Sequence, residues 1–349
     1  MTGHAAPPEP LLEADPPPVG PEEAAAIAAR FWGIGGDCHP LSSERDRNYR
    51  LTTPSGERFL LKFSNPAEDP AVTNLQTGAL QHIAVRDPGL LVPRILPDLD
   101  GEPERLTPLP DGTQSVTRML SWIDGVPLGS IPSTRALRVG AGQALGRIAT
   151  ALSDFDHQAA DHDLLWDIRN AGRLGQWLPA VADPGLQAII AGWLGRFDRD
   201  ISPRVDRLRR QPVHNDLNPH NVMVNGAPPV LGVIDFGDMV RTAVAADAAI
   251  GASYFVADYG IEGACEFLAG FNAGCPLDDA ELDIMPDLIA MRMVTTLVIS
   301  SWRAARHPGN AAYILRNFPA QRAGLALLAE DGASMLAQAL KQQCRGEAA

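Results

Sequence analysis

Positive charge is scarce in this chain of 349 residues: 29 Lys and Arg stand against 42 Asp and Glu, a net of −13. That balance argues against a nucleic-acid partner, because binding to a phosphate backbone is driven by Lys and Arg neutralising phosphates. Cysteine is scarcer still, and Cys38, Cys265, Cys275 and Cys344 lack metal-type spacing, so they read as free thiols. Residues 1–19 contain no Lys or Arg and no long apolar run, but hold six of the 30 prolines. They read as a disordered lead-in and not a signal peptide, which implies a cytoplasmic protein. The longest apolar stretch, residues 284–302, is broken by Pro286, Asp287 and Arg292, which predicts a buried helix and no membrane span. Aromatic content of 6% beside 45% hydrophobic content suits an ordinary soluble protein with room for two domains.

What is present concentrates in residues 213–238. His214, Asp216 and Asn221 have the spacing H-x-D-x-x-x-x-N, and Asp235-Phe236-Gly237 follows. This is the order of parts in a kinase catalytic loop, where a carboxylate takes the proton of an acceptor hydroxyl and oxygen ligands hold Mg²⁺ on the phosphates. Between the halves, apolar runs at 222–224 and 230–234 flank Asn225-Gly226, a dipeptide that tolerates the positive φ of tight turns. A hairpin centred near Pro228 returns Asp235 to the level of Asn221, so that two hard oxygen ligands face one point. Taken alone, the segment is also compatible with a surface hairpin with polar ends. His214 is open to a second reading as a general base, and His214, Asp216 and His220 to one as the metal ligands of a hydrolase.

The rest of the chain divides into a β-rich and a helical part. Pro21-Glu-Glu opens a short helix that Gly33 closes. Residues 48–53 and 58–63 read as a hairpin across the turn at 54–56, and period-two alternation sets Phe59, Leu61 and Phe63 inward and Lys62 on the other face, able to meet a nucleotide. A helix is expected over 73–84 and a strand over 116–120 that runs into a turn at 121–125. Beyond it Leu137, Ala141, Ala144, Leu145, Ile148, Leu152 and Phe155 mark a long amphipathic helix, and helical patterns continue to Gln343. The fold class is therefore α+β, with residues 20–120 forming a small nucleotide-binding lobe, 121–126 a hinge, and 127–345 a larger, mostly helical lobe for catalysis and substrate. From Asp235 to Asp287 eleven acids face Arg241 alone. Such a segment is either a cleft that favours Mg²⁺ and a cationic substrate or a solvated acidic face.

These motifs resemble the aminoglycoside phosphotransferase and choline kinase superfamily over roughly residues 22–330, chiefly in His214-Asn-Asp-Leu-Asn-Pro-His-Asn221 and Ile234-Asp-Phe-Gly-Asp238. Residues 41–49, 60–68, 155–157 and 165–167 are similar to its hydroxylysine-kinase-like branch. The resemblance implies a two-lobed protein-kinase-like fold, ATP or GTP as co-substrate, and Mg²⁺. It implies Asp216 as catalytic base, Asn221 and Asp235 as metal ligands, and Lys62 on the phosphates, with Ser42, Ser43 and Asn48 in the nucleotide loop. Asp238 either orders its segment or stands behind the metal ligands. The implied acceptor is a small amine bearing a hydroxyl, 5-hydroxylysine first and another amino alcohol or an aminoglycoside second. Candidates to contact it are Asp247, Tyr254, Asp258, Trp302 and Arg303. Two departures stand out: residues 41–48 lack G-x-G-x-x-G, and no glutamate is evident as partner for Lys62, where Gln76 falls near the expected place after Glu68 and Asp69. Both motivate a competing reading as a nucleotide-binding pseudokinase.

Overall fold

The structure is a computed structural model that describes residues 14–43, 45–329 and 332–345. Most of the expected lead-in and the Cys344 side chain lie outside the described residues, and Cys38, Cys265 and Cys275 are buried thiols. The chain forms two compact units, the first reaching to Asp124 and including His157–Ala160, the second made of Gly125–Asp156 and the residues from Asp161 onward. The fold is α+β, a small antiparallel sheet unit followed by a larger helical one.

The first unit opens with α1 (Pro21–Trp32), which has proline in its first turn, Glu22 and Glu23 beside its positive end, and Gly33 closing it at φ 68°. Six strands follow: β1 (Asp37–Leu41), β2 (Arg47–Thr52), β3 (Arg58–Phe63), β4 (Ile95–Leu96), β5 (Arg105–Pro108) and β6 (Gln114–Ser121). Their order is β1-β2-β3-β6-β4, with β5 also on β6, and every pairing is antiparallel. Alternation along β3 buries Leu61 and Phe63 with Leu51 and Met119, and Tyr49 meets Phe63 edge to face at 6.3 Å. Register places Lys62 between Asn48 of β2 and Arg118 of β6, so the three share one face of the sheet. Between β3 and β4 runs α2 (Pro70–Arg86), capped by the Asp69 side chain on the Ala71 amide. Residues before α1 also pack on the sheet: Val19 is buried and its carbonyl accepts the Tyr49 hydroxyl.

The second unit is built on helices. After β7 (Val126–Pro127) come α3 (Arg135–Ala151) and α4 (Pro184–Arg196), then four strands: β8 (Arg210–Val213), β9 (Val222–Asn225), β10 (Val230–Val233) and β11 (Val240–Ala243). They make two small sheets, β10-β9-β7 and β11-β8. The chain then enters α5 (Val244–Gly274), interrupted at Gly260 with φ 64°, and α6 (Asp279–Arg306), α7 (Phe318–Leu328) and α8 (Gly332–Arg345). Asp278 and Glu281 form a reciprocal capping box at the start of α6. Residues 284–302 are buried within that helix, and among the described residues no helix is long and apolar enough to cross a membrane.

Helices α3 and α5 meet main chain to main chain. A Cβ at Gly142 would lie 1.9 Å from the Phe267 carbonyl oxygen, and one at Gly270 would lie 2.0 Å from that of Val139. No side chain fits at either position, so glycine is what permits the approach.

Candidate active site

In the second unit, the loop from His214 to Asn221 leaves β8 and enters the β9–β10 hairpin. The hairpin pairs Val222 with Val233 and Asn225 with Val230, which leaves residues 226–229 as its tip. The ladder is extended by the Ile234 amide donating to the Asn221 carbonyl at 2.9 Å, and this sets Asp235 next to Asn221.

His214 is fully buried, and both ring nitrogens are engaged by backbone: Nδ1 accepts the Asp216 amide at 3.2 Å and Nε2 donates to the Ile234 carbonyl at 3.1 Å. Burial holds its pKa below the usual value and its ring packs edge-on to Phe236 at 4.7 Å, so it is a neutral strut between the two motif halves. No nitrogen is left for a proton transfer. Asn215 adopts φ 63°, and its amide donates to Asp247 Oδ1 at 2.7 Å. Asp247 is fully buried at the first turn of α5, and burial pushes its carboxyl up to about 7. It holds the loop from beneath.

Asp216 is the carboxylate at which this unit's polar groups converge. Its Oδ2 accepts from the side-chain amides of Asn221 at 3.0 Å and Asn218 at 3.1 Å, and its Oδ1 from Arg292 Nη2 at 3.1 Å. The side chain is 22% exposed, whereas that of Arg292 is 3% exposed. Burial, reinforced by the charges of Asp238 and Asp235, pushes Asp216 up to about 8 against the opposing pull of Arg292. Arg292 comes from the middle of α6, bonds Tyr254, and lies 5.1 Å from the centre of the Trp166 ring.

Asn221 uses its side-chain nitrogen twice on Asp216, on the carbonyl at 2.9 Å and the carboxylate at 3.0 Å. Its amide oxygen is therefore turned away from Asp216, while Asp235, on the other strand end of the hairpin, is exposed and held at φ 64°. An amide oxygen and a carboxylate suit a hard cation such as Mg²⁺, which completes its shell with phosphates and water. No cluster of three or more His, Cys, Asp or Glu is placed to hold a metal among the described residues.

The other candidates divide. Tyr254 is buried beside Asp216 and Arg292, and burial raises its pKa. Asp258, one turn on, is exposed. Trp302 and Arg303 lie ten and eleven residues along α6 from Arg292, about 15 Å at the helical rise, and Trp302 packs on Trp177 at 5.1 Å. The structure does not bring them to Asp216. Nor does the acidic excess of residues 235–287 line one cleft. Glu266 pairs with Arg138, Glu281 with Arg209, Asp283 with Lys341, and Asp287 with Arg196 and Arg204.

In the first unit, Lys62 Nζ lies 2.8 Å from Asp46 Oδ2, with the two side chains 12% and 10% exposed. Ser43 Oγ accepts the Asp46 amide at 3.3 Å, Ser42 is exposed, and the Asn48 side-chain oxygen is buried without a hydrogen-bond partner. Gln76, the sequence's nearest substitute for a helix glutamate, instead accepts from Arg118 Nη2 at 2.9 Å. Sequence reasoning missed Arg292 and Asp46. For Arg292 a signal existed, since an arginine inside an apolar helical run must be paired when buried.

Residues 37–281 match the family model described as the phosphotransferase enzyme family. The chain belongs to that family. A hydroxylysine kinase of Danio rerio is 24% identical over 315 residues, covering 86% of this chain and 88% of the relative. Among solved structures, a microcompartment-associated aminopropanol kinase is similar with a TM-score of 0.69 at 16% identity, covering 88% of this chain and 98% of that one. The amicoumacin kinase hAmiN, solved with AMP-PNP and Ca²⁺, is similar with a TM-score of 0.63 at 16% identity, covering 93% of both chains. The protein is thus a phosphotransferase with the fold of the family's kinases.

Proposed function

We propose that this phosphotransferase moves the γ-phosphate of ATP or GTP to the hydroxyl of a small amino alcohol, with 5-hydroxylysine as the leading acceptor. The observation that carries the reading is the setting of Asp216, a carboxylate oriented by Asn218, Asn221 and Arg292 yet partly open to solvent. Asp216 takes the acceptor's proton, and most of the rate comes from positioning and from neutralising charge on the phosphates. Mg²⁺ would supply that neutralisation, held by Asn221 and Asp235 with Asp238 behind them. Lys62 contacts the phosphates, and residues 42–48 contribute serine hydroxyls and backbone amides where a glycine loop is absent. Similarity to a hydroxylysine kinase along most of both chains ranks the acceptor. The pseudokinase reading loses one of its grounds, because Lys62 does have a carboxylate partner.

The test is nucleotide turnover that depends on an added acceptor. 5-Hydroxy-L-lysine should be phosphorylated in preference to choline, homoserine and aminoglycosides. Lysine, which lacks the acceptor oxygen, should give none. Turnover with choline or an aminoglycoside and none with hydroxylysine, under both ATP and GTP, would show the acceptor to be wrong while leaving the kinase reading standing.

A further inference from the structure

We infer that Asp46, in the segment between β1 and β2, is the positioning residue for Lys62, a role that protein kinases give to a glutamate on the helix after the lysine strand. The inference rests on the proposed role of Lys62 at the phosphates. Its first support is an absence in the sequence: α2 contains no Asp or Glu, so that helix has no carboxylate to offer. Its buried Gln76 is oriented on Arg118, the neighbour of Lys62 across the sheet. Asn74 and Thr77 of the same helix bond Glu104 instead.

The second support is how Asp46 is held. One carboxylate oxygen lies 2.8 Å from the ammonium, and the other accepts the Asn65 amide at 3.0 Å. Asn65 in turn donates from its side chain to the carbonyls of Arg45 and Asp15, so the segment carrying Asp46 is tied to the end of β3 on which Lys62 sits. Asp46 is 8% exposed, and at that depth an ion pair with additional hydrogen bonds orients its members more firmly than a surface pair would. An ammonium has three donor hydrogens. The one directed at Asp46 aims the side chain.

Glu68 is the competing candidate. Its carboxyl accepts the Thr73 hydroxyl at 3.0 Å and feels the charges of Arg45, Asp46 and Lys62. It is not the group in contact with the ammonium at 2.8 Å. A purely structural ion pair would also look like this in the absence of nucleotide, so the decisive readout is nucleotide binding and not stability.

The experiment uses the full chain and measures Mg²⁺–ATP and Mg²⁺–ADP binding by calorimetry, melting temperature, and KM for nucleotide and acceptor separately. Asp46→Asn keeps the oxygen for the Asn65 amide and removes the charge. It should bind Mg²⁺–ATP roughly 10- to 100-fold more weakly, the worth of one charge-assisted hydrogen bond, with acceptor KM unchanged within about twofold. Asp46→Glu should restore part of the affinity, and Glu68→Gln should stay within about threefold of the parent chain. Nucleotide affinity in folded Asp46→Asn equal to that of the parent overturns the inference, as does a loss confined to Glu68→Gln. If Asp46→Asn melts too early to assay, Asp46→Glu decides: parental affinity for Mg²⁺–ATP supports the inference only if Asp46→Ala, assayed below its own melting temperature, has lost it. A parent chain that binds nucleotide but phosphorylates no amino alcohol refutes the proposed acceptor and leaves this test intact.

Discussion

Arg292 and Asp216, 76 residues apart, meet at 3.1 Å between the guanidinium and Oδ1, the oxygen that Asn218 and Asn221 leave open. The contact defines what the carboxylate can do, because it fixes one oxygen and opposes the burial that would keep the acid protonated.

Replacing Arg292 with Leu removes the cation and leaves a largely buried carboxylate without its charge partner. Stability should fall by about 2–4 kcal/mol, at the low side for a broken buried pair because Asp216 keeps some solvent. Denaturant unfolding measures this. Turnover should fall more than tenfold in the folded variant, with nucleotide KM little changed, if Arg292 acts as proposed by orienting Asp216.

The pH dependence follows from the direction of the Asp216 shift. A base whose pKa is raised to about 8 ionises as pH rises through that value, so kcat/KM for the acceptor should climb between pH 6 and about 8.5. Losing Arg292 removes the largest influence that lowers the pKa, so the rising limb should move to higher pH in Arg292→Leu. For stability the sign is opposite. A carboxyl with a raised folded-state pKa favours the folded form below its unfolded value and loses that contribution as pH rises through about 8. Asp216→Asn should abolish phosphoryl transfer, keep nucleotide binding, and show a flatter stability curve between pH 4 and about 8.

Metal binding should separate the two acids of the second motif. Asp235→Ala should lose productive Mg²⁺–nucleotide binding, whereas Asp238→Ala should retain a weakened form of it, because Asp238 acts here through its charge on the surroundings. Calorimetry with nucleotide at varied Mg²⁺ distinguishes them, and equal, complete loss in both would place Asp238 among the ligands.

Gly142→Ala introduces a Cβ 1.9 Å from the Phe267 carbonyl oxygen, an overlap that only a shift of one helix can relieve. The cost should be about 3 kcal/mol, visible as a lower melting temperature. Gly192→Ala, with nothing within 4 Å of its Cβ, is the control and should be neutral or slightly stabilising.

The hairpin with its two polar ends was legible because its parts are contiguous: turn residues, strand residues and the flanking Asn221 and Asp235 all lie within one short segment. Lys62 was legible for the same reason, since strand alternation decides its face. Partners that come from elsewhere in the chain were not. Asp46 lies on the strand-preceding segment and not on α2, and Arg292 is distinguished from Arg303 only by its place along one buried helix. Both arginines look alike in sequence, yet three helical turns decide which one reaches Asp216. Asp247 was singled out for its charge, but its position at the first turn of α5, under the loop, assigns it to the backbone of Asn215.

The glycine contact between α3 and α5 gives the catalytic loop a hard datum. Side chains at a helix interface can change rotamer and absorb small displacements, but two main chains in contact have no such compliance. The first turn of α5 carries Asp247, which grips Asn215, the residue before Asp216. The seam lies beyond the interruption at Gly260, but the segment that carries Asp247 meets it where Gly251 packs against the Phe267 ring, so close that a Cβ there would lie 2.3 Å from it. Wear in the seam would register through that contact as misalignment at Asp216.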